Sequence, residues 1–333
     1  MVSPAAVGTR GEAGRFPRLL SLLDRRAPLV VQTHDFPDLD AVASAWGLAS
    51  LFDRLGIEAC PCYQGAIRSR SLARLITELD IDLARCPAFG PSTQIIVVDG
   101  SPSNGNVGLV EGSLLGVIDH HRGDEGPRAP FVDIEPELAS CSTLIQEYWR
   151  DSGETLPRDL ATALLAGIQS DTDFLSRRAS DRDFAAYTAL FSAGDFDLAS
   201  RIVRTSLDLR ELDLVIKALA GAETRNGTFF AWLPGSCGQE VLAILAEFVL
   251  RTEELKVTVV AECGEEGEGL DGVHVSVRSK DASYSAFSII KKALEGIGAC
   301  GGHSHAAGGF IPQSLFPGRE ILKERFFTSS ITT

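Results

Sequence analysis

Residues 29–40 read LVVQTHDFPDLD, a short apolar run that passes directly into a polar turn. The run at 29–32 predicts a buried strand. A helix is predicted over 41–55 because apolar residues recur there at helical spacing, at Val42, Ala45, Trp46, Ala49 and Phe52. Further strands are predicted at 94–98 and 114–118, and further helices at 140–150 and 159–169. This alternation indicates an α/β domain whose parallel sheet carries helices on both faces.

The pattern changes in the last third of the chain. After a predicted connecting helix at 208–221, the remaining segments indicate a smaller, mixed α/β domain. Its strands are predicted at 228–233, 257–261 and 272–278, and its helices at 239–250 and 285–295. The acidic, glycine-rich stretch 262–272 is interpreted as a solvated hairpin loop and not as a cation site.

The composition limits the classes of function. The chain has 333 residues with 31 basic and 45 acidic side chains, which gives a formal net charge of −14. Such an acidic surface repels long polyanions, so binding to duplex DNA is not expected. Seven cysteines without framework-like spacing fit a reducing compartment, and neither a leader pattern nor a membrane-spanning apolar stretch is found. A cytoplasmic protein that does not bind membranes is therefore expected.

Carboxylates and histidines follow all three predicted strands of the first domain. The first strand leads to His34, Asp38 and Asp40, the second to Asp99, and the third to Asp119, His120 and His121. Because the carboxyl ends of the strands form the ligand crevice in open α/β sheets, these side chains are expected to converge. Asp171, at the end of a helical stretch, is a fourth contributor.

The composition of this cluster predicts a site for divalent metals. Carboxylates gathered this closely cannot all stay ionised without compensating positive charge. Imidazole and carboxylate ligands together favour Mn²⁺, Co²⁺ or Zn²⁺ over Ca²⁺, and the lack of cysteine argues against a structural zinc. Two ions that share a carboxylate would clamp the attacking and leaving oxygens of a phosphoryl displacement. Taken singly, Asp99-Gly100 could be a turn and the segment 34–40 an acidic helix cap, but their joint occurrence favours the metal site.

These motifs resemble those of the DHH phosphoesterase superfamily, named after an Asp-His-His triplet that is matched here at 119–121. The family's His-x-x-x-Asp-x-Asp motif is matched by His34, Asp38 and Asp40, its lone Asp after a hydrophobic strand by Asp99, and its Gly-Ile-x-x-Asp-Thr motif by 167–172. The C-terminal end is similar to the DHH-associated domain of the RecJ-like branch. That branch carries Gly-Gly-Gly-His-x-x-Ala-Ala-Gly, which 300–308 matches except at Cys300. Leu39, at a position that is commonly Gly, is a second departure.

The resemblance implies a division of the chain into three parts. A DHH metal-binding catalytic domain is expected over 1–205, a connecting helix over 206–224 and a DHH-associated substrate-binding domain over 225–333. Within the first domain, His34 and Asp38 would hold one ion, Asp40, His120 and Asp171 would hold a second, and Asp99 would bridge both. Mn²⁺ is the ion expected, with Mg²⁺ or Co²⁺ as alternatives. Asp119 would orient an imidazole, and His121 would give a hydrogen bond or a proton to the substrate phosphate.

In the second domain, the resemblance implies five substrate-binding residues: Arg278, Ser279, Gly301, Gly302 and His303. Glycine lets backbone N–H groups approach an anion, and a guanidinium matches the geometry of a phosphate. Simpler interpretations are a glycine turn that packs a helix on the sheet and a surface ion pair of Arg278. His274 is expected on an edge strand, with a structural role.

The chain looks most similar to the two-domain oligoribonuclease and pAp-phosphatase group. This implies a two-metal phosphoesterase, with its site between the domains, that hydrolyses short single-stranded oligonucleotides (nanoRNA, linear dinucleotides) or 3′-phosphoadenosine 5′-phosphate. The alternatives are a cyclic-dinucleotide phosphodiesterase, an inorganic pyrophosphatase or exopolyphosphatase, and a non-enzymatic nucleotide-sensing module. The glycine-rich motif argues against the pyrophosphatases, and the complete ligand set argues against the sensing module. A homodimer is one assembly left open.

Overall fold

A computed structural model describes residues 14–67, 69–86, 89–121, 128–204, 207–235, 239–263, 272–280 and 282–331. The chain forms two compact units, Met1–Thr205 and Ser206–Thr333. The predicted hairpin loop over 262–272 lies mainly outside the described residues. Among the helices that are described, none combines the length and the apolar character needed to cross a bilayer.

The first unit contains one six-stranded parallel sheet. Its strands are β1 (Leu29–Gln32), β2 (Ala59–Tyr63), β3 (Ala84–Arg85), β4 (Gln94–Val98), β5 (Ser113–Asp119) and β6 (Phe131–Ile134). Its helices are α1 (Arg15–Leu22), α2 (Leu39–Arg54), α3 (Arg70–Glu78), α4 (Cys141–Ser152), α5 (Arg158–Thr172), α6 (Asp181–Ala193) and α7 (Phe196–Val203). The strand order is β3-β2-β1-β4-β5-β6. The order reverses between β1 and β4, the place where ligand crevices form in doubly wound sheets.

The two faces of this sheet are covered differently. One face carries the main core, to which all seven helices contribute. The other face carries a small cluster of Ile95, Val97, Val107 and Val117. Segment 99–112 closes it, and Gln32 bonds to the backbone of that segment at Gly108 (2.7 Å) and Val110 (3.2 Å). The prediction of a parallel sheet is confirmed, but the second face has a loop with a 3₁₀ turn instead of a helix, because Pro102 and several glycines interrupt that segment.

The second unit contains a mixed six-stranded sheet in the order β11-β12-β10-β9-β8-β7. Its strands are β7 (Glu223–Arg225), β8 (Thr228–Leu233), β9 (Val257–Cys263), β10 (Gly272–Ser279), β11 (Ala299–Gly302) and β12 (Ala306–Pro312). Its helices are α8 (Leu209–Ala220), α9 (Gln239–Leu250), α10 (Ala286–Ala293) and α11 (Arg319–Ile331). Helices α10 and α11 pack on one face, and α8 and α9 pack on the other. The predicted connecting helix thus belongs to this unit, through Val215 and Ala218.

Cysteine usage differs in one respect from the sequence-based expectation. Cys62, on β2, and Cys86, which follows β3, are joined by a disulfide with a Cα–Cα distance of 5.1 Å. The two residues are 24 positions apart and belong to no spacing motif, so the pairing follows from the parallel contact of β2 and β3. Cys60, Cys141, Cys263 and Cys300 are free thiols.

Candidate metal centre

The site lies at the carboxyl ends of β1, β4 and β5, where the topology brings three polar turns together. Three groups of side chains place their ligand atoms within 4.8 Å of one another. They are His34 with Asp38 and Asp99, Asp40 with His120 and Asp171, and Asp99 with Asp119, His120 and His121. All eight residues predicted for the first domain therefore lie in one cluster.

Asp99 lies between two sets of possible ligands, His34 with Asp38 and His120 with Asp40 and Asp171. Its Oδ2 is 3.8 Å from His34 Nε2, and its Oδ1 is 3.2 Å from His120 Nε2. The residue is buried and adopts a left-handed backbone with φ of 54°, which ends β4 sharply and turns the carboxylate into the crevice. The two carboxylate oxygens thus face different ligand groups, as a bridging ligand requires.

His120 points its ring toward three carboxylates. Its Nδ1 lies 3.3 Å from the backbone oxygen of Leu138, a contact that leaves Nε2 as the inward-facing atom. Nε2 is 3.5 Å from Asp171 Oδ2 and 3.9 Å from Asp40 Oδ2. Asp171 reaches this position from the last turn of α5.

Asp40 is clamped by the N-terminus of α4. Its Oδ2 accepts a bond from Cys141 N (2.7 Å), and its Oδ1 accepts bonds from Ser142 N (2.9 Å) and the Ser140 hydroxyl (2.7 Å). A helix N-terminus suits an anion because unpaired N–H groups and the helix dipole both favour negative charge. These three positioning residues were not predicted. The only sequence signal is a serine at the expected start of α4.

Gly167 permits this close approach of α5. A Cβ at that position would lie 2.8 Å from Asp40 Oδ1 and 3.1 Å from Asp40 Cα, and closer still to Ser142 Oγ. The glycine of the Gly-Ile-x-x-Asp-Thr motif is therefore required by packing around the carboxylate, and its role is steric.

Asp119 holds His121. Its Oδ1 accepts bonds from His120 N (2.8 Å), His121 N (3.1 Å) and His121 Nδ1 (2.8 Å). The imidazole that Asp119 orients is therefore the one predicted to face the substrate. Burial alone would lower the pKa of His121, but the bond to Asp119 and the charge of Asp99 outweigh it and raise that pKa above its usual value.

In the part of the chain that the structure describes, five carboxylates lie together in this cluster, and the charge of Arg178 acts on one of them, Asp171. Burial, followed by the charges of Asp40 and Asp38, raises the pKa of Asp99 well above its usual range, and the same causes raise the pKa of Asp171. Asp99 Oδ1 and His120 Nε2 are buried without a hydrogen-bond partner although they face each other. Unpartnered buried polar atoms cost ~1–3 kcal/mol each, so the donor set fits divalent cations that would engage both atoms.

We expect these raised pKa values to make the metal-free protein less stable as the pH rises. Above the usual aspartate pKa of ~3.9, the unfolded chain loses its Asp99 proton while the folded chain retains it, so each further rise in pH favours unfolding until the folded pKa is passed. The measurement is urea unfolding in EDTA between pH 5 and 8, for wild type and for Asp99→Asn. The variant should be the more stable at pH 8, with a gap that narrows toward pH 5. A gap independent of pH would contradict the raised pKa.

Three of the five predicted substrate-binding residues in the second unit line one cavity. Arg278, Gly301 and Gly302 border a cavity of about 580 Å³ on the face of the sheet that carries α9. Ser279 is buried and follows Arg278 on β10, so its side chain points to the opposite face. Exposed His303 begins the turn between β11 and β12, where its backbone oxygen accepts a bond from Phe287 N at the start of α10.

The two glycines have different roles. A Cβ on Gly301 would meet no atom within 4 Å, so packing does not require glycine there. Gly302 has φ of 131°, and a Cβ there would lie 2.5 Å from Ala307 Cα. The turn therefore requires Gly302, whereas Gly301 leaves open space beside the cavity.

Two family models match this chain. The DHH family N-terminal domain matches residues 28–168, and the DHHA1 domain matches residues 227–326. The chain belongs to the DHH family. The first match contains seven of the eight residues of the metal cluster, and the second contains the cavity with Arg278 and the glycines.

Curated relatives of this DHH-family chain differ in their named activities. An uncharacterized protein of Methanocaldococcus jannaschii is 30% identical over 296 residues, which are 88% of this chain and 60% of that protein. A probable manganese-dependent inorganic pyrophosphatase of Streptococcus thermophilus is 26% identical over 58% of this chain and 66% of its own length. A cyclic-di-AMP phosphodiesterase of Geobacillus thermodenitrificans is 31% identical over 57% of this chain and 32% of its own length. The chain thus spans less than two thirds of each of these relatives.

Solved structures share the fold of this DHH-family chain. An exopolyphosphatase-related protein from Bacteroides fragilis superposes with a TM-score of 0.73 at 17% identity, with 95% of each chain covered. RecJ from Thermus thermophilus, solved in complex with Mn²⁺, superposes with a TM-score of 0.57 at 18% identity, over 96% of this chain and 55% of that one. The predicted family and two-part α/β fold are confirmed. The manganese named for the pyrophosphatase relative and for the RecJ complex agrees with a divalent-metal site in this family.

Proposed function

We propose that this DHH-family chain is a two-metal phosphoesterase that hydrolyses short oligonucleotides, such as nanoRNA and linear dinucleotides, or 3′-phosphoadenosine 5′-phosphate. The position of Asp99 carries the proposal, since its two oxygens face separate ligand groups 3.8 and 3.2 Å away. His34 and Asp38 would hold one ion, and Asp40, His120 and Asp171 the other. Mn²⁺ is the ion we propose. When bound, such ions supply positive charge that stabilises the phosphoryl oxygens during displacement.

The chain's own residues would orient the reacting phosphate. His121 is held through Nδ1 by Asp119, which orients its ring, and it would give a hydrogen bond or a proton to a phosphate oxygen. The bond to Asp119 and the charge of Asp99 raise the pKa of His121, against the effect of burial. The α4 N-terminus keeps Asp40 in place, which holds the ligand geometry without rearrangement during the reaction.

The second unit would bind the substrate's nucleotide end. Arg278 is anchored by bonds from Nη1 to Ser276 Oγ (3.1 Å) and Val277 O (3.0 Å), and its Nε lies 3.4 Å from Glu247. A guanidinium fixed in this way beside open glycine backbone suits a phosphate. The matched DHHA1 domain and this cavity support a nucleotide substrate over inorganic pyrophosphate.

An activity panel tests the proposal. With Mn²⁺, the protein should hydrolyse the dinucleotide pApA or 3′-phosphoadenosine 5′-phosphate at a higher kcat/KM than pyrophosphate, and EDTA should abolish the activity. Cyclic di-AMP and pyrophosphate are also included in the panel, because two relatives are named for activity on these compounds. A preference for either compound would overturn the proposed substrate. Metal binding without turnover on any arm would favour the sensing module.

The variant Arg278→Ala, measured on the same substrates, tests whether Arg278 binds the nucleotide end. A charge-assisted hydrogen bond to phosphate contributes ~1.5–3 kcal/mol, so kcat/KM for nucleotides should fall roughly 10- to 150-fold with metal content unchanged. Pyrophosphate hydrolysis, which needs no nucleotide end, should change far less. Lys280→Ala is the matched control, because Lys280 lies two residues further along the chain and bonds to Thr252 O, away from the cavity. Equal losses in both variants would argue against a specific role for Arg278.

A further inference from the structure

On the α9 side of the second sheet, no helix among the described residues lies over β11 and β12, and α9 borders β10, where Glu247 is 3.4 Å from Arg278 Nε. Helices α8 and α9 cover β8 and β9 on this face. On β10, alternate residues His274, Ser276 and Arg278 point to the same face, while Val273, Val275 and Val277 enter the opposite core. The register pairs His274 with Phe310, Ser276 with Gly308 and Arg278 with Ala306. The open strip therefore carries an aromatic pair at one end and a guanidinium at the other.

His274 and Phe310 are in ring contact. Their centroids are 4.9 Å apart with an interplanar angle of 43°, and both residues are half-buried. The Phe310 ring also covers Gly272, where a Cβ would lie 2.7 Å from Phe310 Cζ. The expectation that His274 lies on an edge strand is wrong, because β10 lies between β12 and β9. This pair is thus fixed in the interior of the sheet.

The pair faces the cavity. His274 and Phe310 both line it, together with Ser276, Arg278 and Gly308. Phe310 is absent from the hydrophobic clusters found in the described part of this unit, so no core accounts for the exposed side of its ring. The volume of about 580 Å³ lies within the ~300–1,000 Å³ typical of small-molecule sites.

The two ends of the open strip match the two chemically different ends of a nucleotide. Arg278 lies four positions after His274 along the strand, roughly 14 Å at ~3.4 Å per residue, and the Arg278 side chain shortens that span. A nucleotide carries phosphate at one end and a flat, polarisable base at the other. Gly308 lies between them, and a Cβ there would meet only Val275 O, at 3.8 Å, so a ribose could lie against the strand.

We propose that His274 and Phe310 form a stacking platform for a nucleobase whose phosphate is held by Arg278. This deepens the proposed function and rests on it, since it names the nucleoside base as the feature that the second unit recognises. Stacking of a base on an aromatic side chain tolerates different bases, because every base has a π-face. The proposal therefore predicts recognition of a nucleotide by its base without strict sequence preference.

Binding in EDTA tests the platform without turnover. Titration calorimetry of the full chain compares 5′-AMP with ribose 5-phosphate, which keeps the phosphate and lacks the base. We expect AMP to bind roughly 10-fold more tightly to the wild type. Phe310→Ala should remove that preference while leaving the affinity for ribose 5-phosphate unchanged. Phe310→Tyr should restore the preference, and Phe310→Leu, which keeps apolar bulk for folding, should not.

Several outcomes would overturn the platform. They are equal affinity of the wild type for the two ligands, no binding of either, or a preference for AMP that survives in Phe310→Leu. The hydrolysis panel separates this failure from failure of the proposed function. Turnover of pApA without base-dependent binding refutes the platform alone. Base-dependent binding without turnover of any nucleotide refutes the enzyme and leaves the platform in place.

Discussion

Replacing Asp99 by Asn is expected to lower kcat/KM for phosphoester substrates by ~10³-fold or more. The substitution keeps the shape of the side chain and removes the charge that faces both His34 and His120. Asn is preferable to Ala because the residue has φ of 54°, a conformation that Asn tolerates and that strains Ala. The measurements are kcat/KM with Mn²⁺ and metal content by mass spectrometry.

Asp35→Asn is the matched control for this variant. Asp35 lies in the same polar turn as His34 but outside the ligand groups, and its Oδ1 accepts a bond from Gly108 N at 2.9 Å that an amide oxygen can also accept. Its activity should stay within a few-fold of wild type. Activity of Asp99→Asn within tenfold of wild type, with two ions retained, would refute the bridging role.

Replacing Gly167 by Ala is expected to weaken metal binding by roughly 10- to 100-fold, the usual effect of displacing a group that positions a ligand. The added methyl group would meet Ser142 Oγ and would lie 2.8 Å from Asp40 Oδ1. Helix α5 or the Asp40 carboxylate must therefore move. Overpacking of this kind also costs ~1–3 kcal/mol of folding stability. Metal titration and urea unfolding measure the two effects separately.

Gly47→Ala provides the comparison. A Cβ there would lie 2.7 Å from Ile145 Cγ2 and 3.3 Å from Leu164 Cδ2, so this variant also overpacks a helix contact, but among apolar side chains. It should lose similar stability while binding metal normally. If both variants lost metal to the same degree, the effect of Gly167→Ala would come from general destabilisation and not from the displacement of Asp40.

Continuous apolar runs made several strands predictable. β1 and β4 begin and end at the predicted residues, and so does β8, because each is a buried run bounded by polar, proline or glycine residues. β2 was missed because Cys60-Pro61-Cys62 contains a proline and has little β-propensity, yet β1 pairs with it in parallel. β11 and β12 were missed because they consist largely of glycine and alanine, and their pairing with β10 is a tertiary effect.

The residues of the metal cluster could be predicted from the sequence, but the hydrogen bonds that hold them in place could not. The ligands follow strand ends in the sequence, and parallel topology brings such ends together. The clamp on Asp40 joins residues about a hundred positions apart, through backbone N–H groups that no side-chain pattern reveals. The aromatic pair was missed for a similar reason, since His274 and Phe310 become neighbours only through the register of β10 and β12.

The segment 99–112, which closes one sheet face without a helix, also has a consequence for dynamics. Besides its bonds to Gln32, it accepts a bond from Asp35 N at Asn106 O (2.9 Å) and donates one from Gly108 N to Asp35. Because these bonds run to Gln32 and Asp35, we expect the segment to open together with the end of β1 and the turn that follows it. The turn after β1 and the turn after β4 are therefore expected to move together.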